Sequence, residues 1–321
     1  MYRNKKVLLM AGGGTLGTYT AKELLRLGAY VDVICPEDKI SDHPHLRFIQ
    51  GYVTDELMTD LFAKTHYDGI VNFMHYRDEN EYKRVHPFLM KNTDHLIFLS
   101  SYRVYANEQH PVTETAPRLH EVYPLEGLLA EDGYGVKKAL CEEYLFGERK
   151  GENWTIVRPV ISFSHKRLDI LMNSHTQVLE KAESGEPLLL PASVKDFCAG
   201  FDWAGNSGKL IANLLFKETA IGEAFTVSSG NGMTWGEVAD AYSAETGVSV
   251  NWVSDEEYLE TFGEKKTKSS FLIRWLYDRK FNRDVDCSKI LSVTGLKQTD
   301  FATVREGIRA ELTILNWKKG E

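Results

Sequence analysis

Tyr134 and Lys138 lie four residues apart in Tyr134–Gly135–Val136–Lys137–Lys138, which puts a phenol and an ammonium on one face of a predicted helix. A free phenol, with a pKa of about 10, is a poor base at neutral pH. A nearby ammonium favours the phenolate, so the pair can take a proton from an alcohol. Ser100 and Ser101 close a predicted strand, and ligands of open α/β sheets bind beyond the carboxyl ends of strands. A hydroxyl there is placed to orient a substrate oxygen while Tyr134 deprotonates it. Upstream, Ala11–Gly12–Gly13–Gly14–Thr15–Leu16–Gly17 is a glycine turn that opens a helix. Such a turn lets backbone approach a pyrophosphate, and the helix N-terminus adds free N–H groups and a favourable dipole. Singly, each feature has a plain reading: a solvated helix, or a tight turn that binds nothing. In this order they suggest proton removal and hydride transfer at one carbinol carbon beside a nicotinamide.

The elements that must hold these groups are legible as alternation. Val7–Met10, Val31–Cys35, Arg47–Gln50, Gly69–Phe73, Leu96–Ser100 and Thr155–Arg158 read as strands, mostly continuous apolar runs buried on both faces. Helix-length amphipathic stretches separate them, which predicts an α/β fold with a Rossmann-type doubly wound parallel sheet. Beyond Arg158–Pro159 the alternation fades. Leu168–Glu183 reads as a helix ended by Gly185, 187–191 as extended, 203–216 as a helix, and Ala224–Ser228 as a returning strand. Thr234–Thr246 and Asp286–Thr294 read as further helices, and the lysine-rich Gly263–Ser270 as an exposed loop. The expected division is a dinucleotide-binding domain over 1–165 with a returning segment at about 198–230. A smaller C-terminal α/β substrate lobe would take 166–197 and 231–321.

Bulk properties narrow the function. The 321 residues carry a formal net charge of −8, which argues against nucleic acid or an anionic membrane as a partner. No apolar run approaches the roughly 18 residues of a membrane span, and the short run after the basic start leads straight into the glycine turn. Cys35, Cys141, Cys198 and Cys287 are far apart and have no metal-ligand spacing. They read as structural thiols, with no metal and a cytoplasmic location as the expectation.

The order of glycine turn, Ser101, Tyr134-xxx-Lys138 and Arg158–Pro159 resembles the extended short-chain dehydrogenase/reductases. Within them it resembles the NAD-dependent epimerase/dehydratase group that includes UDP-glucose epimerase. Ser100–Ser101–Tyr102–Arg103–Val104–Tyr105 resembles the family's fifth-strand motif, and Pro111–Val112–Thr113–Glu114 the segment before its active-site helix. Lys195–Asp196–Phe197 with Asp202, Ile221–Gly222–Glu223–Ala224–Phe225, Asp286–Cys287–Ser288–Lys289 and Thr294–Gly295–Leu296 resemble its later motifs. The resemblance implies NAD, and a sugar hydroxyl oxidised transiently with Tyr134 as base. Lys138 would tune that base and bind the nicotinamide ribose, and Ser101 would orient the substrate. The cofactor residues it implies are Ala11, Gly12, Gly14, Thr15, Leu16, Gly17, Cys35, Met74, Ser100, Tyr134, Lys138, Arg158 and Pro159.

Departures from the family pattern shape the rest. Ala11 replaces the first spaced glycine, Tyr52 an adenine-contacting Asp, and Ile161 and Ala199 a frequent Asn and His. Cys35 stands where an acid commonly binds the adenosine ribose, with Glu37 and Asp38 just beyond; no arginine flanks it, which favours NAD while leaving NADP open. Family 4,6-dehydratases carry an acid pair after the hydroxyl residue. Tyr102 and Arg103 stand there, and an arginine does not donate a proton at neutral pH, so dehydration is disfavoured. His75, Ser101, Lys195, Arg279 and Arg283 are the candidate substrate contacts, the arginines as a diphosphate clamp or as ion pairs with Asp278 and Asp284. The expected substrate is a nucleotide sugar, turned over by an epimerase or oxidoreductase. The alternatives are a dehydrogenase or reductase of a non-sugar alcohol or carbonyl, and a non-catalytic dinucleotide- or RNA-binding descendant. The helices near 78–90 and 134–146 are the expected faces of a homodimer.

Overall fold

The structure is a computed structural model that describes residues 2–124, 126–127 and 133–318. Seven strands form one parallel sheet: β1 (Lys6–Met10), β2 (Tyr30–Cys35), β3 (Leu46–Gln50), β4 (Gly69–Asn72), β5 (Leu96–Leu99), β6 (Trp154–Pro159) and, after three short strands that pair elsewhere, the returning Glu223–Val227. In space the order is β3-β2-β1-β4-β5-β6 and then the returning strand, with Met10 level with Asn72 and Arg158 level with Thr226. This is the doubly wound sheet that the alternation predicts.

Successive residues of each strand serve opposite faces. Val7, Leu9, Val31, Val33, Val71, Ile97 and Val157 pack under α1 (Thr15–Arg26) and the later helix Ala204–Leu214. Leu8, Met10, Ile34, Ile70, Leu96, Phe98 and Ile156 pack under α2 (Asp55–Phe62), α3 (Glu79–Lys91) and α4 (Tyr134–Glu148). That double duty is why the runs are apolar throughout rather than alternating. Burying one such side chain contributes about 1.5–3 kcal/mol, against about 0–1 kcal/mol for an exposed ion pair. The two apolar layers therefore decide the fold. Gly208 lets Ala204–Leu214 close on α1, because a Cβ there would meet the backbone N of Thr20 at 2.6 Å.

The remaining chain builds two small parallel pairs, Ile161–Phe163 with Phe201–Trp203 and Leu188–Pro191 with Val250–Val253. Their core is aromatic, with the stacked Phe163 and Phe201 beside Trp235, Tyr242 and Tyr258. The helix expected over Leu168–Glu183 begins only at His175 and runs to Ser184. Ser174 and Gln177 form a capping box there, while Leu168, Ile170, Leu171 and Met172 fill the core as irregular backbone. The expected loop Gly263–Ser270 is instead a helical turn, Gly263–Thr267, running into the helix Ser269–Arg274. Among the described residues no helix is long and apolar enough to cross a membrane.

Candidate functional site

A cleft of about 350 Å³ opens beyond the carboxyl ends of β1, β4, β5 and β6, lined by Ala11, Gly14–Gly17, Phe73, Leu99–Arg103, Tyr134, Pro159–Ser162, Arg167, Arg274, Asp278 and Arg279. The glycine turn forms one wall. Gly12 donates its N–H to the Ile34 carbonyl at 3.0 Å, tying the turn to β2. A Cβ on Gly12 would meet the Leu9 Cβ at 2.7 Å, one on Gly13 the Cys35 Cβ at 2.6 Å, and one on Gly17 would strike the Gly12 carbonyl. Ala11 holds φ +53°, a left-handed conformation that suits the glycine it replaces. Helix α1 then starts at Thr15 with no side-chain cap from Gly14 and no acid in its first turn. Its uncapped N–H groups face the cleft, and a Cβ on Gly14 would meet nothing within 4 Å. A diphosphate fits such a wall. Ser100, buried beside the Glu142 carboxylate, adds a hydroxyl to the same lining.

The groups expected to react come from the end of β5 and from α4. Ser101 follows β5, and its Oγ accepts from the Arg103 N–H at 3.2 Å, opening a short helical turn at Tyr102–Val104. Helix α4 lies directly on that turn because residue 135 is glycine; a Cβ there would run into the Arg103 carbonyl oxygen. Tyr134, at the first position of α4, is thereby set against the turn. The Arg103 guanidinium lies 5.2 Å from its ring centre and the His75 ring 5.2 Å away on centroids. Burial raises the Tyr134 phenol above its usual range, while Arg103, Arg167 and the Ser101 hydroxyl beside it pull the other way. Lys138 is buried one turn on, its Nζ donating to the carbonyls of Leu99 at 2.6 Å and Met74 at 3.0 Å. Loss of water lowers its pKa to about 8.

A second layer of charge backs this site. Asp278 is buried, accepts from the Tyr102 hydroxyl and from Arg279 NH1 at 2.6 Å, and has Arg103 Nε 3.5 Å away. Burial raises its carboxyl, yet Arg279, Arg103 and Arg283 together hold it below the carboxylate range. Tyr102, in a place where family dehydratases have an acid, is thus bonded to an acid rather than being one.

Several expected contacts lie outside the cleft. Arg158 is wholly buried: Nε and NH2 grip both Glu142 oxygens at 2.9 and 2.8 Å, and NH1 reaches the Tyr105 hydroxyl and the Glu114 carbonyl. Its guanidinium pins α4 to β6, with four of its five N–H donors engaged inside the protein. Arg283 is likewise interior, donating to the carbonyls of Tyr105, Ala106 and Tyr277. Lys195 is exposed, 5.4 Å from the Trp252 ring, and His75 is exposed beside Tyr134 rather than in the lining. Met74 faces a neighbouring hollow with Met10 and Met58, only its carbonyl reaching Lys138. Tyr52 is exposed. Cys35 is buried behind Gly13, as are Cys141 and Cys287 elsewhere, while Cys198 is half-buried.

Other residues enter that chain order did not single out. Arg167 and Arg274 line the cleft, and Lys166 and Lys39 both reach the Gly13 carbonyl, at 2.8 and 3.4 Å. They flank Glu37, whose carboxyl is held low by a backbone hydrogen bond and by the two ammonium groups. No periodicity marks these positions; they converge only through the fold.

No protein-family model matches the sequence, and no curated protein matches it. Solved structures match the fold over nearly the whole chain. Epimerase Mth375 from Methanothermobacter thermautotrophicus superposes with a TM-score of 0.70 at 17% identity, covering 98% of this chain and 93% of that one. WbmG from Bordetella bronchiseptica, in complex with NAD and UDP, gives 0.68 at 18% identity over 97% and 94%. The terminal R domain of the myxalamid PKS-NRPS biosynthetic pathway gives 0.70 at 16% over 99% and 93%. The chain therefore has the Rossmann-type architecture of these solved structures.

Proposed function

We propose that the protein is a nicotinamide-dinucleotide-dependent epimerase or oxidoreductase of the extended short-chain dehydrogenase/reductase type, acting on a nucleotide sugar. The observation that carries this is the shared cleft. The uncapped glycine turn, Ser100, Ser101 and Tyr134 all line one cavity at the mouth of a parallel sheet. Neighbours of the same fold bound to NAD, and in one case to NAD and UDP, support the class of cofactor and substrate.

In this reading the turn from Ala11 to Gly17 holds the diphosphate, Glu37 takes the adenosine ribose, and Lys138 takes the nicotinamide ribose. A nicotinamide held there would supply reversible hydride transfer with the carbinol carbon. The protein's own part is the proton. Ser101 donates a hydrogen bond to the substrate oxygen, and the Tyr134 phenolate removes its proton. The phenolate is stabilised by Arg103, Arg167 and the Lys138 ammonium in a site largely stripped of water. Arg279 and Arg274 meet the substrate's diphosphate. Dehydration stays disfavoured, since Tyr102 is engaged with Asp278. A second copy would dock on α3 and α4, which present the exposed Phe88 and Phe146.

The test is Tyr134→Phe. Turnover with a panel of UDP-sugars should fall by about a hundredfold or more, the usual worth of a general base. Affinity for NADH, read by fluorescence titration, should stay within about twofold. Unchanged turnover would remove Tyr134 as the base.

A further inference from the structure

The cleft concentrates cations in a chain whose formal net charge is −8. Arg103, Arg167, Arg274 and Arg279 all line it, against Asp278. An adjoining hollow of about 470 Å³ shares Arg103, Tyr134 and Arg274 and adds Lys265 and Lys268. Among the described residues, the acids beside the cleft are already engaged. Asp278 is divided between Tyr102, Arg279 and Arg103, and Asp169 lies 3.8 Å from Arg167. The buried Nε atoms of Arg103 and Arg274 donate no hydrogen bond among the described residues. Loss of water and the repulsion of Arg279 and Arg167 lower the pKa of Arg274. Cations crowded in this way await an anion.

The diphosphate of a nucleotide sugar accounts for Arg274 and Arg279. Arg103 stands beside the phenol, its guanidinium 5.2 Å from the Tyr134 ring centre, and its buried Nε donates no hydrogen bond among the described residues. An anion on Arg103 sits beside the reacting carbon, so it belongs to the part of the substrate that reacts and not to the nucleotide. We propose that the reacting sugar carries its own acidic group, a carboxylate or a phosphate ester, held by Arg103 beside Tyr134 with Lys265 and Lys268 closing the adjoining hollow. The planar guanidinium suits either oxyanion. The proposal rests on the reading of Tyr134 as the reacting base.

The experiment is calorimetric titration of the NAD-loaded full chain with UDP-glucose, UDP-glucuronate and glucose 6-phosphate: a neutral sugar, a carboxylate and a phosphate ester. At least one acidic probe should bind about tenfold tighter than UDP-glucose. Which one does identifies the acidic group. Arg103→Met, which keeps the aliphatic stem against Tyr134, should bind the acidic probe no better than UDP-glucose. Arg103→Lys should recover part of the preference. The proposal is overturned if UDP-glucose binds as well as both acidic probes, if neither acidic probe binds, or if Arg103→Met weakens all ligands alike. Binding needs no turnover, so Tyr134→Phe must keep the preference. Turnover surviving in Tyr134→Phe removes the base alone, whereas loss of the preference with that base intact removes the acidic group alone.

Discussion

Lys166 reaches the Gly13 carbonyl from 153 positions further along the chain, and that single contact changes how the adenosine end of the cleft reads. From sequence, Cys35 had no arginine beside it and NAD was favoured. In the fold, Lys166 and Lys39 bracket Glu37 at the same turn. Glu37 suits the ribose diol of NAD, and the two ammonium groups suit a 2′-phosphate. Chain-adjacent residues reveal only the local half of such a site, which is why Tyr134, Ser101 and the glycine turn were legible while Lys166, Arg167 and Arg274 were not. Arg158 was misread for the related reason that its motif position says nothing about Glu142 waiting beneath it. Lys166→Ala is expected to weaken NADPH by about fivefold, the worth of one largely exposed charge on a phosphate, and NADH by less than about twofold. Parallel fluorescence titrations check this. Equal loss for both cofactors would show that Lys166 never meets the 2′ position.

Among the elements, α4 matters most, because it sets the phenol against the Ser101 turn. Two features fix it. Glu142 is buried between Arg158 and Arg118, each within bonding distance of its Oε2, and despite burial the two guanidinium groups hold its carboxyl below the usual range. Gly135 then lets the N-terminal end of the helix touch the Arg103 backbone. Gly135→Ala should force α4 outward, costing about 1–3 kcal/mol in stability and lowering kcat about tenfold or more by displacing Tyr134. Thermal melts and steady-state rates read both. Wild-type kcat in this variant would mean that the close approach does not position the phenol. The strands were predicted to within about a residue or two, since an apolar run buried on both faces has few other readings. The helix placed over Leu168–Glu183 failed because a buried irregular segment and a buried helix look alike until the Ser174 cap is recognised. Gly263–Ser270 failed because its lysines resemble a solvated loop, although Lys265 and Lys268 line the hollow beside Tyr134.

At the scale of the whole molecule, the cost of keeping a buried ammonium falls on global stability. Among the described residues, Lys138 donates hydrogen bonds to two carbonyls and has no carboxylate at bonding distance, and burial lowers its pKa to about 8, well under its unfolded value of about 10.5. Below pH 8 both states are charged and the fold bears the whole penalty. Between about pH 8 and 10.5 the unfolded chain binds the proton that the folded chain has released, so stability rises with pH across that window. Lys138→Met removes the titration while keeping an unbranched stem. The wild type should therefore gain on Lys138→Met as pH rises from 8 to 10, on the order of 1 kcal/mol per pH unit, in cofactor-stripped protein followed by urea unfolding. Other alkaline titrations, such as that of Cys141, occur in both proteins and largely cancel in the difference. A constant difference across that range would mean that the Lys138 ammonium keeps its ordinary pKa in the fold.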